Sequence, residues 1–156
     1  KPLKPEHTAY LEAFSTSRRM KRDALKTALR ADPIRVAAGL PVGPEGCYFV
    51  GETGYAGQGD ASSVDVTDHN YSPSGQPGLW CHWTPNVEGT EIVWDESEKF
   101  YDYVEWLEYL IETFIKPWGY KLNGEVEWFG EDRGDMGKII VKNNKVKTKT
   151  ARITYD

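Results

Sequence analysis

Residues 100–129 read FYDYVEWLEYLIETFIKPWGYKLNGEVEWF, and this stretch decides the fold because a helical pattern gives way to a strand pattern within it. In its first half, large apolar residues recur at the three- and four-residue spacing that places them on one helical face. The residues of this face are Phe100, Tyr103, Val104, Leu107, Leu110, Ile111 and Phe114. We therefore predict a long amphipathic helix over residues 97–116, which Pro117 and Gly119 end.

The residues that follow the helix predict an antiparallel meander over residues 120–155. Asn123-Gly124 and Asn143-Asn144 lie between short runs in which polar and apolar residues alternate. Both pairs suit tight hairpin turns, since Gly and Asn adopt positive φ at little cost. These turns delimit three or four short strands.

Three further patterns precede the long helix. Residues 6–32 are predicted to be helical and basic, residues 39–78 form a loop region rich in Gly and Pro, and residues 79–94 contain two apolar runs that predict a hairpin. No alternation of strands with helices supports a parallel sheet. We therefore expect a single α+β domain over residues 1–156: N-terminal helices, a loop-rich strand region, and the long helix packed on an antiparallel sheet with a C-terminal meander.

The composition excludes several classes of protein. The 156 residues are 39% hydrophobic, 28% charged and 13% aromatic, which is typical of a folded domain. No apolar run reaches the length of about 18 residues that a membrane span requires. Because Cys47 and Cys81 are too few for a disulfide framework, we expect a cytoplasmic protein that does not contact a membrane. The formal net charge of −5 does not favour general affinity for nucleic acid.

Basic residues are concentrated in the second half of the predicted N-terminal helical region. Six of the thirteen residues from 18 to 30 are Lys or Arg, and three of them, Arg18, Arg22 and Lys26, align at four-residue spacing. One interpretation is a surface for an anionic partner, since such a patch concentrates opposite charge. The other is a solvated helix face that pairs with acids elsewhere in the chain.

The long helix carries the opposite charge on the side away from its apolar face. Acidic residues fall in one narrow arc there, at Glu98, Asp102, Glu105 and Glu112. Tyr109 lies among these acids and Trp106 lies at their margin. Large aromatic residues on a polar helix face either pack under another segment, such as the long loop, or contact a partner. Glu105, Trp106 and Tyr109 are therefore candidates for a partner surface.

The Gly- and Pro-rich loop offers a second candidate site. A loop of this length is often functional or mobile, and residues 51–77 carry several polar side chains. The residues that we expect around a ligand pocket under this loop are Asp65, Asp68, His69, Trp80 and His82. The same polar groups equally suit a loop that they simply solvate.

The sequence predicts neither a metal site nor a cofactor. His and Cys residues occur without the paired spacing of zinc sites; they are Cys47, His69, Cys81 and His82. The loop glycines also fail to match a phosphate-binding motif, and no helical pattern follows them. These glycines are Gly51, Gly54, Gly57 and Gly59.

Three blocks of the chain carry a resemblance to other proteins. The blocks from Gln76 to Trp83, from Glu98 to Leu107 and from Asn123 to Trp128 resemble small uncharacterised bacterial and phage-type proteins. The resemblance implies no activity, cofactor or functional residue. It adds phage-related inhibitors of host machinery to the classes considered.

These features favour a non-enzymatic binding protein over an enzyme. The partner would be a macromolecule, preferably a protein, that contacts the charged and aromatic helix surfaces. Two alternatives stay open: a small enzyme or ligand-binding domain with a pocket under the loop, and a nucleic-acid-binding protein that uses residues 18–30. Two oppositely charged helices also suit a homo-oligomer.

Overall fold

A computed structural model describes residues 1–51, 61–97 and 99–156. Four α-helices and antiparallel sheets of two or three strands occur within these ranges, so the predicted α+β class is confirmed. The chain forms two compact units, Lys1–Trp106 and Leu107–Asp156, and the single domain stays a prediction. Four residues considered above, Gly54, Gly57, Gly59 and Glu98, lie outside the described residues. No helix in the described ranges is both long enough and apolar enough to cross a membrane.

The first unit contains short elements joined by long connections. In chain order they are α1 (Pro5–Thr16), β1 (Lys21–Arg22), α2 (Ala24–Thr27), α3 (Pro33–Ala37), a 3₁₀ turn (Pro44–Gly46), β2 (Val66–Asp68), β3 (Trp83–Pro85), β4 (Ile92–Trp94) and the start of α4 (Tyr103–Leu110). Helix α1 begins at Pro5, whose fixed φ suits the first helical position. Its Tyr10, Leu11 and Phe14 are at most 1% exposed and form the core of this unit.

The sequence predicts two helices in residues 6–32, a short one over 6–15 and a second, basic one that ends at Asp32; α1 confirms the first, whereas the second is wrong. The backbone amides of Arg19 and Lys21 donate to the carbonyls of Leu79 and Tyr71, at 2.8 and 2.7 Å, instead of to the preceding helical turn. Strand β1 therefore replaces the middle of the predicted helix, and only the short helices α2 and α3 follow it. Of the apolar residues of this segment, Met20 is 2% exposed, whereas Leu25 and Leu29 are 84% and 88% exposed.

The Gly- and Pro-rich region contains a strand that its sequence does not predict. Strand β2 pairs antiparallel with β1, with Lys21 opposite Asp68 and Arg22 opposite Val66. The run from Cys47 to Val50, which has the composition of a strand, instead follows the 3₁₀ turn as irregular structure. A strand needs a neighbour for its backbone, and the alternation of residues does not identify that neighbour.

The predicted hairpin is confirmed, although its strands are shorter than the predicted range of 79–94. Strands β3 and β4 pair antiparallel, with Trp83 opposite Trp94 and Pro85 opposite Ile92. Asn86 closes the loop, because its side-chain oxygen accepts the amides of both Thr90 and Glu91. Residues 79–82 precede β3 and are not part of the ladder.

The long helix is also shorter than predicted. Helix α4 begins at Tyr103 and not at residue 97, because Asp102 has a φ of 55°. Its carbonyl nevertheless accepts the amide of Trp106 at 2.8 Å, as expected of the residue that precedes a helix. The helix continues as a π-helical turn, Ile111–Ile115, and Gly119 follows with a φ of 84°. The boundary between the two units lies within α4.

The second unit contains the predicted C-terminal meander. Strands β5 (Gly124–Phe129), β6 (Met136–Lys142) and β7 (Lys145–Thr150) form one antiparallel sheet in the order β5-β6-β7. The Asn143-Asn144 turn is confirmed, with φ of 49° and 68°. Asn123-Gly124 does not form a hairpin turn, because residues 120–122 are not a strand. The Asn123 side chain instead accepts the amide of Asn143 at 2.8 Å.

The two faces of this sheet differ in character. One face carries the buried Ile139 and Val141 at the centre of the ladder. On the other face, the side chains of β5 and β7 are exposed and mostly charged. Its residues are Glu125, Glu127, Phe129, Met136, Lys138, Ile140, Lys142, Lys145, Lys147 and Lys149. We call these ten residues the charged sheet face.

We expect Gly137→Ala to destabilise the second unit. A Cβ at Gly137 would collide with the carbonyl oxygen of Lys149 and would come within 2.6 Å of the Trp128 indole, so strands must move apart. Gly134→Ala is the matched control, since a Cβ there meets no atom within 4 Å of the described chain. Urea unfolding curves of both variants test this prediction. Equal midpoints for the two variants would contradict it.

Candidate functional site

Asp65 is the centre of a buried ionic network in the first unit. Its side chain is 0% exposed and accepts from Arg22 at 2.8 Å, from Thr27 Oγ1 at 3.0 Å and from Arg30 at 3.1 Å. The backbone carbonyl of Asp65 also accepts the amide of Asp23. This carboxylate is therefore occupied by protein donors within the described part of the chain.

The ionic state of Asp65 follows from these contacts. Burial alone would raise the pKa of the carboxyl group. Hydrogen bonds from Arg22 and Thr27, together with the charges of Arg22 and Arg30, outweigh burial and hold the pKa of Asp65 below its usual value. Asp65 is thus an anion that neutralises the basic segment from within the fold.

The buried arginines also stack on aromatic rings. The guanidinium carbons of Arg22 and Arg30 lie 4.5 and 4.7 Å from the ring centre of Phe49. That of Arg19 lies 4.2 Å from the ring centre of Phe14, and its nitrogens donate to the carbonyl of Phe49 at 2.7 Å and to that of Cys47 at 2.6 Å. Arg22 is 5% exposed, so it is not available as a surface for an anionic partner.

Arg18 and three residues of the predicted pocket come together in a second cluster. Arg18 Nε donates to the carbonyl of His69 at 2.9 Å, and its guanidinium carbon lies 5.9 Å from the centre of the Trp80 ring. Arg18 also donates to the side-chain oxygen of Asn70, and the backbone amide of Asn70 donates to Asp68 Oδ1 at 2.9 Å. Arg18, which the sequence predicts to bind an anionic partner, therefore contacts residues that are predicted to line the ligand pocket.

His82 belongs to a different group. Its Nδ1 lies 2.8 Å from Asp95 Oδ2, one step beyond the β3–β4 ladder, and its ring meets Phe100 edge to face at 5.1 Å between centres. Asp95 is held further by the amide of Ser97 at 3.0 Å. The five residues of the predicted pocket thus lie in three groups: Asp65 in the ionic network, Asp68, His69 and Trp80 around Arg18, and His82 beside Asp95.

The predicted partner surface on α4 is only partly accessible. Trp106 is 0% exposed and meets Phe14 edge to face, with ring centres 5.8 Å apart, so its indole belongs to the core. This agrees with the alternative of packing under a loop, since a Cβ at Gly78 would lie 3.8 Å from Trp106 Nε1. Tyr109 is half-buried against Phe114. Glu105 and, on α2, Lys26 are exposed.

Neither cysteine has the properties of a nucleophile. Burial raises the pKa of Cys81 to about 12 and also raises the pKa of Cys47, so both thiols are protonated at neutral pH. In the part of the chain that the structure describes, no three His, Cys, Asp or Glu residues are grouped as metal ligands.

Comparisons were made with protein-family models, with curated proteins and with solved structures. No match was found in any of the three. The function of this protein must therefore be argued from the geometry of its own residues.

The charged sheet face is a surface that the sequence analysis missed. Lys145, Lys147 and Lys149 alternate along β7 and are all exposed. Because alternate residues of a strand share a face, this spacing by itself would have indicated a row of three positive charges. Lys138 and Lys142 add two more on β6.

Acidic residues occupy the opposite edge of the same face. Glu125 and Glu127 lie on β5, in register with Lys147 and Lys149 on β7 through the middle strand. Lys138 lies between the two edges, and its Nζ is 3.6 Å from Glu125 Oε2. The face therefore consists of an acidic edge, a mixed middle strand and a basic edge.

A shallow groove of about 350 Å³ runs along one end of this sheet. The lining includes the half-exposed Met136, Lys149 and Phe129, of which Phe129 is 73% exposed. Exposed apolar side chains rimmed by charges are typical of surfaces that contact another protein.

Proposed function

We propose that this protein is a non-enzymatic binding protein that docks a protein partner on the charged sheet face. The observation that carries the proposal is the separation of charge on that face, with Glu125 and Glu127 on one edge strand and three lysines on the other. A partner with bands of opposite sign would meet both edges favourably.

The acidic edge favours a protein over a nucleic acid. The acidic and basic edges are two strand spacings apart, roughly 10 Å, which is about one Debye length at 0.1 M salt. A polyanion on Lys147 and Lys149 would therefore feel repulsion from Glu125 and Glu127. The turn between β5 and β6 adds Glu131, Asp132 and Asp135, all of them exposed.

The proposed binding surface does not include the N-terminal basic segment, residues 18–30. Arg18 and Arg22 have partners within the first unit, and only Lys26 of that predicted row is exposed. Nucleic-acid binding by residues 18–30 therefore loses its basis in a continuous row of charges. A role for Glu105 and Tyr109 of α4 stays a prediction.

We expect reversal of two lysines to abolish partner binding. Lys147→Glu/Lys149→Glu removes the basic edge, whereas Lys99→Glu/Lys121→Glu makes the same change in net charge at exposed positions outside the sheet. In lysate treated with a carbodiimide, which joins lysines to carboxylates, wild type and the control variant should couple to the same proteins, a second copy of the chain included. The β7 variant should lose them. Retention of these proteins by the β7 variant would contradict the proposal.

A further inference from the structure

We infer that the occupant of the charged sheet face is a second copy of this chain, related to the first by a two-fold axis that runs along β6. This inference rests on the proposed function and names its partner. The face is self-complementary at its edges, because an acidic edge and a basic edge flank the middle strand, whose charged residues on this face are Lys138 and Lys142.

The geometry allows only one direction of the axis. When two copies face each other across a two-fold axis parallel to the strands, their edge strands lie on opposite sides. Strand β5 of one copy therefore lies over β7 of the other. An axis that lies in the face but runs across the strands would place β5 over β5, with like charges opposed. A two-fold axis along β6 therefore brings opposite charges together in both halves of the interface.

The register specifies the pairs. Glu125 and Lys147 share one level of the sheet, and Glu127 and Lys149 share the next. The exchange places Lys147 opposite Glu125 of the second copy and Lys149 opposite Glu127 of the second copy, so four ion pairs form per dimer. Facing sheets pack about 10 Å apart, a distance that an extended lysine and an extended glutamate span together.

The remaining residues of the face include both apolar and like-charged contacts. Ile140 of one copy lies near Ile140 of the other at the axis, and Phe129 lies opposite Ala151, which follows β7 in register with Met136. Lys138 and Lys142 each lie opposite the same residue of the other copy, so two like-charged contacts oppose the four ion pairs. Lys138 already has a carboxylate at 3.6 Å, that of Glu125, which offsets part of this repulsion.

The area of the face determines how tightly we expect the dimer to associate. Three strands of up to seven residues cover roughly 14 by 24 Å. This footprint is well below the ~800 Å² per partner of a standard interface, so the dimer belongs to the weak class. Because its pairs are at the surface, salt should weaken it further.

Sedimentation of the full chain tests the inference. Wild type should pass from monomer to dimer between about 1 µM and about 1 mM at low salt, and the transition should move to at least tenfold higher concentration in about 0.5 M salt. The variants Lys147→Glu/Lys149→Glu and Glu125→Lys/Glu127→Lys should each be monomeric, because each opposes like charges. An equimolar mixture of the two should restore the dimer.

Two outcomes of these experiments would contradict the inferred dimer. A wild-type chain that stays monomeric at about 1 mM and low salt, or a mixture that fails to dimerise although both variants keep the wild-type circular dichroism, would overturn the inference. If either variant does not fold, Lys147→Gln/Lys149→Gln takes its place and should raise the dissociation constant at least tenfold. If wild type stays monomeric but carbodiimide couples it to other proteins, and this coupling depends on Lys147 and Lys149, the proposed function holds and the second copy is excluded as the partner.

Discussion

Asp65→Asn is expected to lower the free energy of unfolding by about 3–5 kcal/mol, the range for breaking a buried ion pair by removal of one partner. The variant keeps the shape of the side chain but leaves the buried Arg22 guanidinium without its anion. It also weakens the contact with Arg30, which is 27% exposed and can reach water. Urea unfolding at pH 7 measures the loss.

The pH dependence of Asp65 provides a second test. The pKa of its carboxyl group is lower in the folded state than the ordinary value of about 3.9, so the group binds a proton more readily when the chain is unfolded. Its contribution to stability is therefore complete above that ordinary value and is lost as the pH falls through the folded-state pKa. Asp65→Asn should remove this part of the acid-limb decline in stability.

Asp68→Asn is the matched control for both measurements. Asp68 is the last residue of β2, which begins directly after Asp65, but its described hydrogen bond is a single one, from the backbone amide of Asn70. We expect a loss below about 1 kcal/mol, because the Asn side-chain oxygen still accepts from the Asn70 backbone amide. Equal losses for Asp65→Asn and Asp68→Asn would show that the ionic network does not stabilise the first unit.

Trp106→Ala is expected to lower the free energy of unfolding by about 3–5 kcal/mol, the usual cost of truncating a buried tryptophan. The indole is 0% exposed and meets Phe14, which is also 0% exposed, edge to face. Removal of the indole leaves a cavity in the core of the first unit. The midpoint of urea unfolding should therefore fall while the slope stays unchanged.

Tyr101→Ala is the control for the core role of Trp106. Tyr101 is 71% exposed and lies two residues before α4, so its removal should change stability by less than about 0.5 kcal/mol. If Trp106→Ala has the midpoint of wild type, the indole does not belong to the core. The predicted loss has a practical consequence: Trp106→Ala cannot serve as a surface probe in binding experiments, whereas Tyr109 and Glu105 can.

The sequence determined the elements whose residues are in contact with near neighbours along the chain. The hairpin of β3 and β4 and the meander of β5 to β7 follow from alternating residues and from turns such as Asn143-Asn144, and the body of α4 follows from its apolar spacing. The helix depends on contacts three or four residues apart, and each strand pairs with the next strand along the chain, so periodicity and turn residues are enough to predict them.

The tertiary structure alone determined which residues the arginines of the N-terminal segment pair with. Arg22 and Arg30 meet Asp65, which lies 43 and 35 positions away, and Arg18 meets His69 across 51 positions. Periodicity assigns these arginines to one side of a helix, but it carries no information about which distant carboxylate or carbonyl neutralises them. The energy of leaving a guanidinium buried without an acceptor outweighs a helix propensity of less than about 1 kcal/mol per residue.

The proposed binding surface also depends partly on the sequence and partly on the tertiary structure. The row of lysines at 145, 147 and 149 can be read from the sequence, because their spacing of two places them on one side of a strand. Only the pairing of β6 with both neighbours places Glu125 and Glu127 across from Lys147 and Lys149 on one face. Spacing determines the face on which a side chain lies, whereas strand order, which depends on distant backbone hydrogen bonds, determines the residues beside it.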